Sequence, residues 1–266
     1  IRIFGRNRGM HMSARNHEVT AKQQLLDANG NIAETVLDAF PMGKLQMPTN
    51  SSEGDIVYEK KNLRLKYVLE KNPENLSERS AVGKSIAGKE KTGRFYYNQK
   101  INCMRAEGFA EYNGKRYEFY PEKHFGTLDW GRGVWTYDNT WYWGSGNCDV
   151  AGHAFGFNIG YGFGNTKAAS ENVIFYDGVA HKIDDVTFVI PEDDYCKPWK
   201  FTSSDGRFEM DFTPLLDRAA CLDYKLIVSD QHQVFGRMSG TAVLDDGTKV
   251  EVKDVLCFAE KVHNRY

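Results

Sequence analysis

The sequence predicts an all-β protein, an antiparallel barrel or sandwich with few short helices. Three observations carry this. Turn dipeptides that supply positive φ angles stand between runs of alternating apolar and polar residues. The alternation has period 2, as at Phe208, Met210 and Phe212 against Arg207, Glu209 and Asp211. No rhythm of strand, helix and strand is present, so a parallel α/β sheet is not expected.

Along the chain, residues 1–16 read as an N-terminal arm or tag remnant. They hold the basic cluster Arg2 to Arg8 with Arg15, and Gly9-Met10-His11-Met12 fits a cloning scar. Residues 17–93 are expected to form an N-terminal β half, with a first turn at Asp27-Ala28-Asn29-Gly30. The polar stretch 71–91 contains Gly, Pro and Ser and reads as a loop between halves. Residues 94–266 are expected to form the C-terminal β domain. Its hairpins turn at Asn113-Gly114, Asp177-Gly178 and Asp245-Asp246-Gly247. Short helices are predicted at 215–224, after Pro214, and as one turn at 168–172.

Composition excludes several function classes. Lys plus Arg number 34 and Asp plus Glu 36, and no basic stripe of the kind that binds nucleic acid is present. No apolar run reaches the length of a membrane span. The five cysteines are odd in number and widely spaced, with no CxxC, which reads as reduced thiols in a cytoplasmic protein. No metal is expected, because no carboxylate or second histidine stands at ligand spacing from Cys148 and His153. No cofactor is expected either. Gly160-Tyr161-Gly162-Phe163-Gly164 lacks dinucleotide spacing and has rings where phosphate must approach. No Gly-x-Ser-x-Gly elbow is present. Nothing in the sequence sets an oligomeric state.

The segment 125–163 has a different composition. It holds 9 glycines, 11 aromatic residues and four of the five tryptophans. Its charged residues are Asp129, Arg132, Asp138 and Asp149. Rings supply flat contact area and glycines allow close approach of backbone, a mixture that suits a cavity wall. A packed barrel interior with glycine kinks is the bland alternative. Asp129 and Arg132 flank Trp130 between glycines. Buried charges need partners, so the two form a mutual ion pair, a structural clamp, or a catalytic acid tuned by its surroundings. Strand alternation sends them to opposite faces, so each is expected to find its partner elsewhere.

The candidate catalytic residues are Asp129, Arg132, Glu171, His153 and His232. The candidate substrate-binding residues are Trp130, Trp135, Tyr137, Trp141, Trp143, Asn158 and Tyr161. Asp129 would act as general acid, the tryptophan faces would stabilise developing positive charge, and His153 or His232 would manage water near neutral pH. Glu209, Asp211, Asp217 and Arg218 read as outward or structural charges.

Several strings resemble one bacterial family, the domain of unknown function 2804. They are Phe95-Tyr-Tyr-Asn-Gln-Lys-Ile-Asn-Cys103, Leu128-Asp-Trp-Gly-Arg-Gly-Val-Trp135, Asn139-Thr-Trp-Tyr-Trp-Gly144, Gly156-Phe-Asn-Ile-Gly-Tyr-Gly-Phe-Gly164, Glu171-Asn172, Phe201 to Phe208, Phe212 to Arg218, Ser229 to Gly236 and Phe258 to Asn264. The likeness is dense from about Arg94 to Tyr266 and weaker over His17 to Asn31. It implies a lipocalin-like, calycin-like antiparallel barrel with an internal pocket, remotely similar to carotenoid 1,2-hydratase-type proteins. It implies no reaction. In the N-terminal half the family pattern would have more chain between Glu34 and Phe40 and near Gly88 to Thr92.

The resulting expectation is an enzyme of lyase, hydratase or isomerase type. It would act by acid–base catalysis on a small, largely apolar or aromatic-stacking molecule. A non-catalytic lipocalin-like binding protein for an apolar ligand is the second reading. A carbohydrate-active enzyme using a carboxylate pair such as Asp129 and Glu171 is the third.

Overall fold

The computed structural model describes the backbone of residues 19–26, 32–34, 51–58, 63–70 and 81–85, and residues 96–133, 137–163, 170–225 and 227–265. Side chains are described at Arg64, Lys66 and, from Lys100 onward within those ranges, everywhere but 128 and 130–133. The positions at which the family pattern would have more chain, and the first turn at 27–30, lie outside the described residues. Two compact units are present: Ile1–Leu76 with Cys103–Trp130, and Ser77–Asn102 with Gly131–Tyr266.

The first unit is an antiparallel sheet. Strands β1 (Val19–Leu26), β2 (Ile32–Glu34), β3 (Ser51–Tyr58) and β4 (Leu63–Glu70) stand in the order β2-β1-β3-β4. Strand β5 (Ala81–Ser85) belongs to the second unit and pairs with the start of β6 (Tyr96–Tyr112), from Ala81 opposite Lys100 to Ser85 opposite Tyr96. It lies inside the stretch expected to be a loop. The later part of β6 pairs with β4, and with β7 (Lys115–Phe119) and β8 (Phe125–Gly133). Asn113 and Gly114 make the β6–β7 turn with φ of 50° and 76°, the double positive φ that asparagine and glycine tolerate.

The second unit carries a nine-stranded meander. Its strands are β9 (Asp138–Val150), β10 (His153–Tyr161), β11 (Val173–Tyr176), β12 (Val179–Lys182), β13 (Val186–Val189), β14 (Trp199–Ser203), β15 (Phe208–Asp223), β16 (Val228–Val243) and β17 (Lys249–Arg265). Each pairs antiparallel with the next, except β12 with β13, and β17 pairs back to β9. The sheet order therefore runs from β12 at one end to β13 at the other. Only residues 183–185 join these two ends, and four residue steps reach at most about 14 Å. The sheet must curl until its ends meet, giving an up-and-down barrel with one seam. Arg207 braces that seam: its guanidinium donates to Lys182 O, Val243 O and Asp245 at 2.8, 2.9 and 2.7 Å.

Alternation fills the barrel. Phe155, Phe157, Phe201, Phe208, Phe212, Trp199, Met210, Val234 and Met238 lie in one buried cluster. Glycine makes room for the rings. A Cβ at Gly146 would meet Cys257 Cβ and the Phe157 ring, both at 2.7 Å, and one at Gly236 would meet the Phe212 ring at 2.5 Å. The aromatic and glycine mixture of β9 and β10 is thus satisfied, at these positions, by packing within the chain.

The helix expected at 215–224 does not form. Residues from Leu216 to Asp223 pair one by one with β16, from Phe235 back to Val228. The backbone partners offered by that long strand override local helix preference. Pro214 sits where the register shifts, at a bulge between Pro214 and Leu216. No helix occurs among the described residues, and none is long and apolar enough to cross a membrane. Of the turn expected at 168–172, residues 170–172 are irregular and the others lie outside the described residues.

Candidate functional site

At one end of the barrel the inward-facing side chains change from apolar to polar. Along β17 the core residues Cys257 and Ala259 are followed, two positions on, by Lys261. Along β16, Met238 and Val234 lead to His232. Along β9 and β10 the sequence of inward residues ends at Tyr142 and Tyr161, both packed on the core. These four positions are register neighbours: His232 opposite Lys261, Lys261 opposite Tyr142, Tyr142 opposite Tyr161. They form one row across four strands, and all four are half-buried. Phe188 of β13 lies beneath, edge-on to Tyr142 and Tyr161 at 6.0 and 5.5 Å between ring centroids, while the two tyrosines stack at 4.5 Å.

His232 is held from two sides. Its Nδ1 is 2.7 Å from Asp217 Oδ2. An ionised carboxylate only accepts, so this nitrogen carries the hydrogen, and in the neutral imidazole Nε2 is then the acceptor. Tyr195, from the connection between β13 and β14, stacks on the imidazole at 3.8 Å and 8°. Asp230 Oδ1 is 3.8 Å from Nε2, too far for a hydrogen bond. The bulge at Pro214 is what brings Asp217 here. Phe208, Met210 and Phe212 point into the barrel at even positions, and the extra residue switches the parity, so that Asp217, opposite Val234, also faces inward. Without the bulge Asp217 would face away from His232. Asp217 Oδ1 is buried and has no hydrogen-bond partner.

Burial pushes the Tyr161 phenol above its ordinary value. A backbone hydrogen bond from Phe188 opposes this, and Tyr142 adds to it. Tyr161 therefore keeps its proton at neutral pH.

A second polar group lies on the opposite face of the same strands. There Trp141, Trp143, Asn158, Glu171 and Glu260 are all buried. Trp143 Nε1 donates to Asn158 Oδ1 at 2.7 Å, and Asn158 Nδ2 donates to Glu171 O and Oε2 at 3.1 and 3.3 Å. Lys100 of β6 stands 3.6 Å from Glu171 Oε2 and 4.0 Å above the Trp143 ring. Trp141 Nε1 and Gln233 Nε2 both donate to Glu260, at 3.2 and 3.0 Å. Asn102 Nδ2 is shared among Ser145 Oγ, Gly146 O and Phe157 O at 2.8, 3.3 and 3.0 Å. This cluster ties β6 to the outer face of β9 and β10 and leaves its carboxylates occupied.

The sequence candidates thus separate. Trp141, Trp143, Asn158 and Glu171 come together in the outer-face network. His232 and Tyr161 come together at the mouth. His153 is exposed at the far end of β10, its Nδ1 2.6 Å from Asp177 Oδ2. Tyr137 is exposed, and Asp129 is half-buried on β8 of the first unit. The side chains of Trp130 and Arg132, and the whole of Trp135, lie outside the described residues. Sequence reasoning assigned Asp217 to structure and did not single out Lys100, Lys261, Tyr195 or Glu260. The one available signal was periodicity from Ala259 to Lys261 and from Val234 to His232, read together with the proline.

Among the described residues no cluster of three or more His, Cys, Asp or Glu side chains could hold a metal ion. The family model for the domain of unknown function 2804 matches residues 19–266, so the chain belongs to that family. No curated protein matches it. Among solved structures, CghA in a crystal with Sch210972 is similar at 7% identity and a TM-score of 0.43, over 81% of this chain and 65% of that one. The chain thus spans just under two thirds of that protein's length. Kievitone hydratase from Nectria haematococca is similar at 8% identity and a TM-score of 0.35, over 93% of this chain and 88% of that one.

Proposed function

We propose that this member of the family is an enzyme of lyase, hydratase or isomerase type, acting by acid–base catalysis on a small, largely apolar molecule at the mouth of the second-unit barrel. The observation that carries the reading is the half-buried His232, fixed by Asp217 at 2.7 Å and stacked on Tyr195. Asp217 sets the tautomer, so Nε2 is the base that takes a proton and returns it. The rings of Tyr142, Tyr161 and Tyr195 supply flat apolar contact, and the Tyr161 hydroxyl donates to an oxygen of the substrate. The barrel below the mouth is filled by its own side chains, which favours a reaction near the rim over a ligand held deep in a cup.

The test is a panel of small alkenes, enones and alcohols incubated with the protein in D2O, with deuterium uptake and added water read by mass spectrometry. Wild-type turnover that falls by about 10²–10⁴-fold in His232→Gln is the expected result. Asp217→Asn should lower kcat with little change in KM, because it acts through the imidazole. Turnover equal in His232→Gln and wild type, or no turnover of any class, would overturn the reading.

A further inference from the structure

We propose that the molecule bound at the barrel mouth is a small planar carboxylate, anchored by Lys261. The inference rests on the mouth being the reacting site and adds the class of substrate. Lys261 lies between His232 and Tyr142 in register and faces inward by the alternation of Cys257, Ala259 and Lys261. It is half-buried. The nearby carboxylates lie against histidines, and none is placed within ion-pair distance of its ammonium. Asp217 accepts from His232 and Asp230 faces the same ring at 3.8 Å. Asp138, nearer the rim, is bonded to His263 Nε2 at 2.9 Å. Among the described residues no carboxylate pairs with Lys261.

A half-buried ammonium with no carboxylate in contact gains from an anion that arrives to meet it. The anion must be small and planar. Its body has to lie against the Tyr142 and Tyr161 rings, which stack at 4.5 Å, with Phe188 beneath them. Directly opposed residues of an antiparallel pair stand about 5 Å apart at Cβ. A carboxylate on Lys261 therefore sets the carbons next to it within reach of His232 Nε2, the same atom that the acid–base reading uses.

Cinnamate and its neutral counterpart cinnamyl alcohol are suitable probes, titrated by calorimetry into wild type, Lys261→Met and His232→Gln. Cinnamate binding to wild type, weakened at least tenfold in Lys261→Met and retained in His232→Gln, is the expected pattern. Cinnamyl alcohol should bind wild type and Lys261→Met alike, more weakly than cinnamate binds wild type. Equal cinnamate affinity in wild type and Lys261→Met, or no cinnamate binding at all, would overturn the proposal. Circular dichroism of both variants separates loss of the anchor from loss of the fold. Because binding is read without turnover, failure of the anchor and failure of His232 as proton carrier give different results.

Discussion

Replacing Lys100 by methionine keeps most of the side-chain volume and removes its charge. The ammonium is 3.6 Å from Glu171 Oε2, and both side chains are nearly sealed from water, at 4% and 5% exposure. At an effective dielectric constant of about 20, unit charges at that distance attract by about 5 kcal/mol. Desolvation of both ions offsets much of this, so the intact pair contributes little net stability. Breaking it is different, because Glu171 then stays buried without the ammonium at 3.6 Å, with Asn158 and the Lys182 charge remaining, and the Trp143 face also loses its cation. Lys100→Met alone should cost about 3 kcal/mol. For a unit of this size that corresponds to a fall of roughly 6–12 °C in Tm. The double variant Lys100→Met/Glu171→Gln removes both charges and should return to within about 1 kcal/mol of wild type. Urea unfolding followed by tryptophan fluorescence measures all three. A single variant within about 0.5 kcal/mol of wild type, or a double variant less stable than the single, would refute the reasoning.

Three further outcomes are expected. In the native chain at pH 8, the exposed Cys196 and Cys221 should alkylate first. Cys148 should stay unmodified, because burial and then Asp149 push its thiol up to about 12, as should Cys257, raised by burial and then by Cys148. Peptide mass spectrometry reads this, and Cys257 labelling as fast as Cys221 would mean that the barrel is open. Burial tends to raise the Asp205 carboxyl. The Ser203 hydroxyl, the backbone N–H groups of Asp184 and Arg207 and the Arg207 charge together lower it further. A lowered acid contributes stability that is full above its ordinary value of 3.8 and is lost as pH falls through the folded value. Asp205→Asn should therefore flatten the loss of stability below about pH 4, and urea midpoints that fall with pH as steeply as wild type would contradict it. Gly146→Ala would push a methyl into Cys257 and Phe157 at 2.7 Å and should cost about 1–3 kcal/mol by overpacking, measured by thermal unfolding.

Local chemistry made much of this fold legible. Asn113-Gly114 and Asp177-Gly178 adopt the paired positive φ angles that their composition demands. The alternation of Phe208, Met210 and Phe212 is the inward face of β15. One tight turn was not legible. Ala151-Gly152 joins β9 to β10 with φ of 51° and 87°, and an alanine gives no hint of positive φ. Nor was the strand at 215–223, because its backbone partners come from β16 after the turn. Helix preference after a proline is a local property, whereas strand pairing is not.

The site divides in the same way. The sequence by itself determined the all-β class, the hairpins, the family, and the residue types available for chemistry, since each is carried by a few neighbouring residues. It could also place Trp141, Trp143 and Asn158 in one aromatic segment. Only the tertiary structure decided that these serve a buried network with Lys100 and Glu171, while His232 and Tyr161 meet at the barrel mouth. The physical reason is that facing depends on register. One extra residue at Pro214 turns Asp217 inward to His232. The pairing of β17 with β9 sets Lys261 beside Tyr142, 119 positions away along the chain.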